Sequence, residues 1–167
     1  MLPQYLIKKT PKHRNIIKLR SLVADDSIHT VCESASCPNI GECFSRQTLT
    51  FMILGDICTR SCAFCGVKKG QPLPPDPTEP ARIAAAAQKL GLDYVVITSV
   101  TRDDLPDGGA EQFANVIRQC QMSNDTSCRG TSVRGKCQME VLIPDFKGDK
   151  AALKTVLDAK PYVLNLI

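Results

Sequence analysis

Histidine is scarce in this 167-residue chain, and that scarcity limits the metal sites and the catalytic machinery that the sequence allows. The two histidines are His13 and His29, and neither stands with serine or cysteine in an arrangement that would indicate a hydrolase. Zinc takes four ligands, commonly paired cysteines or cysteines with histidine. A metal site in this chain must therefore draw mainly on its nine cysteines.

Long apolar runs and a strong excess of one charge are also absent. No stretch approaches the roughly 20 apolar residues of a membrane-spanning helix. The formal net charge is only +4, which is too small an excess to indicate a nucleic-acid partner. We therefore expect no membrane and no nucleic acid among the partners of this chain, which is long enough for one domain with a core.

The positive charge is concentrated in an N-terminal arm. Six basic residues precede any acidic one: Lys8, Lys9, Lys12, Arg14, Lys18 and Arg20. The arm is rich in lysine and interrupted by Pro3 and Pro11, unlike a transit peptide, and no secretory apolar region is visible. Nine cysteines then indicate metal binding in a reducing compartment rather than disulfides. We expect a cytoplasmic protein, or one of the mitochondrial or plastid matrix if the source is eukaryotic.

The stretch Cys58-Thr59-Arg60-Ser61-Cys62-Ala63-Phe64-Cys65 places three thiols on one short loop. Three thiolates can hold an iron–sulfur cluster and leave one iron open, where chemistry can occur. Zinc or three inert thiols are the alternatives, but no fourth cysteine or histidine lies nearby. The spacing Cys-x3-Cys-x2-Cys, with the aromatic Phe64 before the last cysteine, resembles the radical S-adenosylmethionine (SAM) enzymes.

A second triplet, Cys32, Cys37 and Cys43, lies in the turn-rich stretch 31–45. Its spacing, followed closely by the first motif, resembles the double signature of the lipoyl synthases. The phrases His29-Thr30-Val31-Cys32-Glu33 and Cys37-Pro38-Asn39-Ile40-Gly41-Glu42-Cys43 are similar to that family almost letter for letter. The alternative is a zinc loop that uses His29 beside Cys32.

Strand and helix patterns alternate from residue 49 onward, which predicts an α/β fold with a parallel sheet. We predict strands at 49–54, 94–98, 139–143 and 162–164, and helices at 78–90, 110–119 and 150–159. The first helix should stop at Gly91. Polar residues follow the strands: the cysteines, then Asp103 and Asp104, then Asp145, then Asn165. In β/α barrels the active site is built at that end of the strands, although each aspartate alone could be a helix cap or a solvated charge.

The stretches 96–109 and 141–146 also resemble the lipoyl synthases. The resemblance implies a partial (β/α) barrel of the radical SAM type over 48–167, preceded by the basic arm and cluster loop over 1–47. It also implies that SAM is contacted by a set of residues near the strand ends: Phe64, Ser99, Asp104, Asp107 and Asn165. Gly108 and Gly109 would let the backbone approach SAM.

Two regions depart from that family. A polar insertion at about 120–138 carries Cys120, Cys128 and Cys137, which we predict to be ordinary thiols in a mobile loop rather than cluster ligands. At the other departure, Leu166 follows Asn165 and the chain stops at Ile167. We expect from the resemblance a chain truncated after the fourth strand, without the later serine that completes the second cluster's ligands.

The resemblance implies a sulfurtransferase with two 4Fe-4S clusters and SAM. Cys58, Cys62 and Cys65 would hold the cluster that cleaves SAM to a 5′-deoxyadenosyl radical, and Cys32, Cys37 and Cys43 the cluster that is sacrificed for sulfur. The substrate would be an octanoyl chain on a lipoyl carrier domain, of a 2-oxoacid dehydrogenase complex or the glycine cleavage H protein, with ferredoxin or flavodoxin as electron donor. The alternatives are a truncated iron–sulfur fragment without activity, a sulfur-inserting enzyme similar to biotin synthase, and a structural zinc module.

Overall fold

The computed structural model describes residues 28–34, 43, 48–90, 92, 94–127 and 138–167. Its elements are, in order, β1 (His29–Thr30), α1 (Val31–Ser34), β2 (Thr50–Ile53), β3 (Ile57–Cys58), β4 (Lys68–Lys69), α2 (Glu79–Leu90), β5 (Tyr94–Ser99), α3 (Ala110–Ser127), β6 (Gln138–Ile143), a 3-10 helix (Phe146–Gly148), α4 (Lys150–Asp158) and β7 (Val163–Leu166).

The central feature is a five-stranded sheet in the order β1-β2-β5-β6-β7. Strands β2, β5, β6 and β7 are parallel, and β1 is an antiparallel edge strand on β2. Each parallel strand lies beside the next one in the chain, so the usual right-handed crossovers place the connecting helices on one face. The fold is therefore α/β, with the sheet order of a partial (β/α) barrel, as the sequence predicted.

The helix-covered face of the sheet carries the core. Side chains alternate along β6, where Met139, Val141 and Ile143 are buried and the residues between them are half-buried. The buried residues of the three long helices, such as Phe113 and Val156, join the strand residues in one hydrophobic cluster. The other face of the sheet is less covered, with Val96, Leu142 and Val163 half-buried.

The structure confirms the four parallel strands and three helices to within a few residues, except at the end of α3. That helix continues through Ser127, eight residues past its predicted end at 119, so the start of the predicted insertion loop is helical. Its polar residues hid the extension, because they show no apolar periodicity. Cys120 is a buried core residue of α3, and Gln121 donates through its amide to the carbonyl oxygens of Ala159 and Lys160.

Several predictions lie outside the described residues: the basic arm as far as residue 27, Cys37, the helix stop at Gly91, and the thiols Cys128 and Cys137. The structure also contains elements that the sequence did not predict, namely β1, α1, the β3–β4 pair and the 3-10 helix. Within the described part of the chain, no helix combines the length and the apolar character needed to cross a bilayer.

Two glycines with positive φ provide a test of packing at the end of the sheet. A Cβ on Gly109 (φ +93°) would lie 2.3 Å from Leu54 Cδ1, whereas one on Gly148 (φ +79°) would meet nothing within 4 Å. Gly148→Ala should therefore cost only the left-handed backbone term, about 1–2 kcal/mol. Gly109→Ala should cost a further 1–3 kcal/mol or so, because Leu54 is buried and has to move. Urea unfolding of the apoprotein measures both, and equal losses would contradict the predicted contact.

Candidate functional site

The site begins at the turn that leads from β2 into the cysteine loop. Leu54 adopts a positive φ of 68°, and Gly55 follows at 89°. Both backbone groups of Leu54 are bound by side chains distant in sequence. Its N–H donates to both carboxylate oxygens of Glu79 at 3.1 Å, and its carbonyl accepts from Nη1 of Arg102 at 3.3 Å. The turn is therefore held from two sides.

Glu79 and Arg102 are themselves held in place. Glu79 is buried at the first position of α2, where the helix dipole favours a carboxylate, and it accepts a hydrogen bond from Nε2 of Gln112 at 2.9 Å. Arg102 is 1% exposed and pairs with Asp104, its Nε donating to Oδ1 at 2.9 Å and its Nη2 to Oδ2 at 2.7 Å. These hydrogen bonds lower the pKa of Asp104, which stays ionised at neutral pH.

The cysteine loop projects from this turn and is closed by a short parallel ladder. Ile57 and Cys58 of β3 pair with Lys68 and Lys69 of β4, and the N–H of Gly70 donates to the carbonyl of Cys58 at 3.1 Å. Between the two strands Cys62 and Cys65 are exposed, whereas Cys58 is half-buried and its Sγ accepts from the N–H of Arg60 at 3.5 Å. Three thiols thus share one loop with fixed ends.

The donor set of this loop fits an iron–sulfur cluster by its chemistry. Its three thiols form no disulfide, and thiolates are the protein ligands that such clusters take. The described residues contain no group of three His, Cys, Asp or Glu side chains already arranged around a metal position. The fit therefore rests on the type, number and loop placement of the donors.

The second triplet is only partly described. Cys32 is buried in α1, Cys43 is half-buried just before β2, and Cys37 lies outside the described residues. Because β1 runs antiparallel to β2, the chain that leaves β1 reaches Cys32 near the start of β2. The N–H of Thr48 donates to the carbonyl of Cys43 at 3.0 Å, which keeps Cys43 near the same end. Cys32 and Cys43 are consequently found at the opposite end of β2 from the cysteine loop.

Arg60 connects the cysteine loop to two other strand-end loops. Its Nε donates to Oδ2 of Asp103 at 2.7 Å and its Nη2 to Oδ1 at 3.0 Å. Its Nη1 and Nη2 also donate to the two carboxylate oxygens of Asp145 at 3.0 and 2.8 Å. These hydrogen bonds raise the pKa of Arg60, lower that of Asp103 and hold the pKa of Asp145 at about 2. All three groups are charged at neutral pH.

The five residues predicted to contact SAM are not equally available. Ser99 is 9% exposed at the end of β5, and its Oγ has no hydrogen-bond partner among the described residues. Phe64 lies on the cysteine loop and is 94% exposed. Asp104 forms the pair with Arg102 described above. Ser99 and Phe64 are therefore the two whose side chains are not engaged by hydrogen bonds within the described part of the chain.

The other two predicted contacts have structural partners. Asp107 caps α3: its Oδ1 accepts from the N–H of Gly109 at 2.9 Å and its Oδ2 from that of Glu111 at 2.8 Å. Asn165 was expected after the fourth strand, but it lies within β7 and donates through Nδ2 to Oε1 of Glu140 at 2.8 Å. The strand was predicted too short because Asn165 and Leu166 do not continue an apolar run.

The glycine pair also serves packing. A Cβ on Gly108 would lie 2.8 Å from Cδ1 of Phe146, and the corresponding atom on Gly109 would collide with Leu54. Both glycines have positive φ. The nearest neighbours of this pair are thus side chains of the protein core. From the sequence, the pair was expected only to let the backbone approach SAM closely.

Comparison with known proteins agrees with this arrangement. Residues 52–166 match the family model described as the radical SAM superfamily, which is well over half of the chain. The chain belongs to the radical SAM superfamily. The family implies a 4Fe-4S cluster and SAM, and the cysteine loop of residues 58–65 lies inside the matched region.

Curated relatives of this radical SAM chain bear the name lipoyl synthase. The protein of Oleidesulfovibrio alaskensis is 53% identical over 164 residues, which cover 98% of this chain and 53% of the relative. That of Caldicellulosiruptor saccharolyticus is 50% identical over 98% of this chain and 54% of the relative, and that of Aquifex aeolicus 49% over 96% and 54%. The chain spans about half the length of the curated relatives it matches.

Three charged residues of this radical SAM site were missed from the sequence: Arg60, Glu79 and Arg102. Glu79 was seen only as a residue at the start of a helix, and Arg102 only as a loop charge. A signal existed for Arg60, because a cation in the middle of the cysteine loop faces aspartates after two neighbouring strands. Opposite charges at adjacent strand ends are a reason to expect an ion pair.

The unpartnered hydroxyl of Ser99 can be tested against its neighbour in β5. Thr98 Oγ1 donates to the carbonyl of Leu142 at 3.1 Å, so Thr98→Val, which preserves shape, should lower the free energy of unfolding by about 1 kcal/mol. Ser99→Ala removes a buried hydroxyl without a partner and should leave that free energy unchanged or slightly higher. Urea unfolding of the apoprotein gives both values. A larger loss for Ser99→Ala than for Thr98→Val would show that the hydroxyl is bonded.

Proposed function

We propose that this chain carries the radical chemistry of a lipoyl synthase, the insertion of sulfur at two carbons of an octanoyl chain bound to a carrier protein. The observation that carries the proposal is the position of cysteines from both triplets at the two ends of β2. Cys32 and Cys43 lie near its start and Cys58 follows its end. A four-residue strand spans about 13 Å, which is comparable with an extended octanoyl chain.

The less covered face of the sheet supports an acyl substrate. Val96, Leu142 and Val163 are half-buried there, and the facing strand register places Val96 beside Thr50 and Thr98 beside Leu142. On the same face Glu140 lies between Val96 and Val163 in the strand register; it accepts a hydrogen bond from the Tyr94 hydroxyl and raises the pKa of Tyr94 to about 12. The hydrocarbon part of the substrate would contact the apolar side chains of this face, whose carboxylate Glu140 is already hydrogen-bonded to Tyr94 and Asn165.

In this proposal the residues have distinct tasks. Cys58, Cys62 and Cys65 would hold the cluster that, with SAM, supplies the radical chemistry required by an unactivated C–H bond. Cys32, Cys37 and Cys43 would hold the second 4Fe-4S cluster, as the source of sulfur. The Ser99 hydroxyl and the Phe64 ring would contact SAM, while Asp104, Asp107 and Asn165 would support the surrounding loops through the hydrogen bonds described above.

The proposed partners follow from the reaction. The substrate is an octanoylated lysine on a lipoyl carrier domain of a 2-oxoacid dehydrogenase complex or on the glycine cleavage H protein, and a ferredoxin or flavodoxin supplies electrons. We propose the cytoplasm, or an organelle matrix in a eukaryote, because exposed thiols such as Cys62 and Cys65 persist in a reducing compartment.

Metal analysis tests the ligand assignment. Anaerobic reconstitution with iron and sulfide should give a brown protein that contains both elements, because two thiol triplets supply more ligands than zinc needs. Replacing Cys58, Cys62 and Cys65 together by Ala should remove one cluster and leave the other, since the triplets are on separate loops. The matched control replaces Cys120, which is buried in α3 and should not change iron content. Stoichiometric zinc without labile sulfide would contradict the assignment.

An isotope experiment tests the reaction itself. The reconstituted protein, reduced with dithionite, should form 5′-deoxyadenosine from SAM faster with an octanoylated carrier domain than with the unmodified carrier. When the octanoyl chain is perdeuterated, deuterium should appear in the 5′-deoxyadenosine. The unmodified carrier and the Cys58→Ala variant are the controls. Transfer from a free small molecule but not from the carrier would instead favour an enzyme similar to biotin synthase. Mass spectrometry of the nucleoside and of the carrier reports both hydrogen abstraction and added sulfur.

A further inference from the structure

We propose that Arg60 is a positioning residue, whose guanidinium fixes the cysteine loop against the loops after β5 and β6 and thereby sets how well the loaded site binds SAM. This inference rests on the proposed function, because it assumes a cluster on the cysteine loop. It concerns a residue that is not itself a metal ligand.

The guanidinium of Arg60 binds two carboxylates at once. Two carboxylates bind it in forked fashion, Asp103 through Nε and Nη2 and Asp145 through Nη1 and Nη2, over distances of 2.7 to 3.0 Å. Asp103 is 43 residues and Asp145 85 residues away in the sequence. One side chain of the cysteine loop therefore holds two separate strand-end loops. Lysine, with a point-like ammonium, cannot make two forked pairs.

Asp103 and Asp145, which bind Arg60, each make a further hydrogen bond. The N–H of Asp103 donates to Oγ1 of Thr59 at 3.1 Å, and that hydroxyl donates to the carbonyl of Thr101 at 2.9 Å. Asp145 caps the 3-10 helix by accepting from the N–H of Lys147 at 3.1 Å. Because the backbone of Asp103 is bound to Thr59 and the carboxylate of Asp145 to the N–H of Lys147, the guanidinium that binds both aspartates is held as well, and with it the loop between Cys58 and Cys62.

Arg60 should affect the placement of the cysteine loop more than the stability of the fold. The side chains are 33% exposed for Arg60, 28% for Asp103 and 57% for Asp145, so solvent screens their attraction and the network contributes little to global stability. The placement of the loop is more sensitive, because a shift of about 1 Å in a reacting group can change a rate about a hundredfold. Loss of Arg60 should therefore disturb the site much more than the fold.

The experiment compares Arg60→Lys, Arg60→Gln and Asp145→Asn with Arg118→Gln in the full chain. Arg118 is the matched control, since it is an exposed arginine on α3 that contacts Glu111 at 3.4 Å, away from the cysteine loop. The apoproteins are first compared by hydrogen exchange. Exchange in the segments 57–65 and 101–105 should be about tenfold faster in both Arg60 variants than in wild type. Arg118→Gln should exchange at the wild-type rate, and all variants should keep the wild-type unfolding midpoint.

The reconstituted proteins are then titrated with SAM, and the electron paramagnetic resonance spectrum of the reduced cluster reports binding. Both Arg60 variants should assemble the cluster but bind SAM about tenfold more weakly, whereas Arg118→Gln should match wild type. The double variant Arg60→Gln/Asp145→Asn should bind SAM no more weakly than Arg60→Gln, because Arg60→Gln alone already removes the ion pair with Asp145.

Several outcomes would overturn the proposal. Unchanged exchange in the apo variants would show that Arg60 does not hold the loop. Faster exchange with unchanged SAM affinity would show a purely structural role, and weakening by Arg118→Gln as well would show an unspecific effect of charge. Failure of the wild-type protein to assemble any cluster would instead contradict the proposed function, and the exchange data from the apoproteins keep these two results apart.

Discussion

The position of the site depends on one residue whose two backbone groups are both bound by charged side chains. Leu54 has a positive φ that residues other than glycine rarely adopt, a conformation that costs on the order of 1–3 kcal/mol unless its surroundings impose it. Glu79 binds its N–H and Arg102 its carbonyl. Because β2 ends at Ile53, this turn decides in which direction the chain leaves the sheet, and the cysteine loop begins four residues beyond Leu54.

The same turn connects the packing of the helices to the geometry of the site. Glu79 belongs to α2, and its partner Gln112 belongs to α3, so the two helices that cover the sheet also determine the turn. Gly109 begins the approach to α3 with its backbone against the Leu54 side chain. A change in how α2 and α3 pack would therefore be transmitted to the cysteine loop, although that loop has no buried core of its own. The scaffold and the thiols are coupled through side-chain hydrogen bonds to the backbone of Leu54, together with the packing of Cys58 against the core.

The sequence predicted the sheet and the helices because their signals are local. Continuous β-prone runs indicate buried parallel strands, and alanine-rich or amphipathic segments indicate the helices. The side-chain network could not be predicted in this way, since the partners of Arg60 lie on loops whose proximity exists only after the sheet has formed. The positive φ of Leu54 likewise has no sequence signal, because glycine is the usual residue there. The cap role of Asp107 was foreseeable as an alternative, and the position of Asn165 within β7 shows that strand ends are the least certain part of such a prediction.

Four charged side chains beside the cysteine loop balance one another within a single network. Arg60 and Lys147 are balanced by Asp103 and Asp145, and Lys147 Nζ also donates to the backbone carbonyl of Asp103 at 3.1 Å. Arg102 is balanced by Asp104. No net charge from these residues is left to attract an anionic thiolate centre. Local hydrogen bonds to sulfur, such as the one from the Arg60 N–H to Cys58 Sγ, then become the means by which this part of the protein affects the electronic properties of the centre. Arg60 would thus act twice, with its side chain placing the loop and its backbone bonding the first thiol.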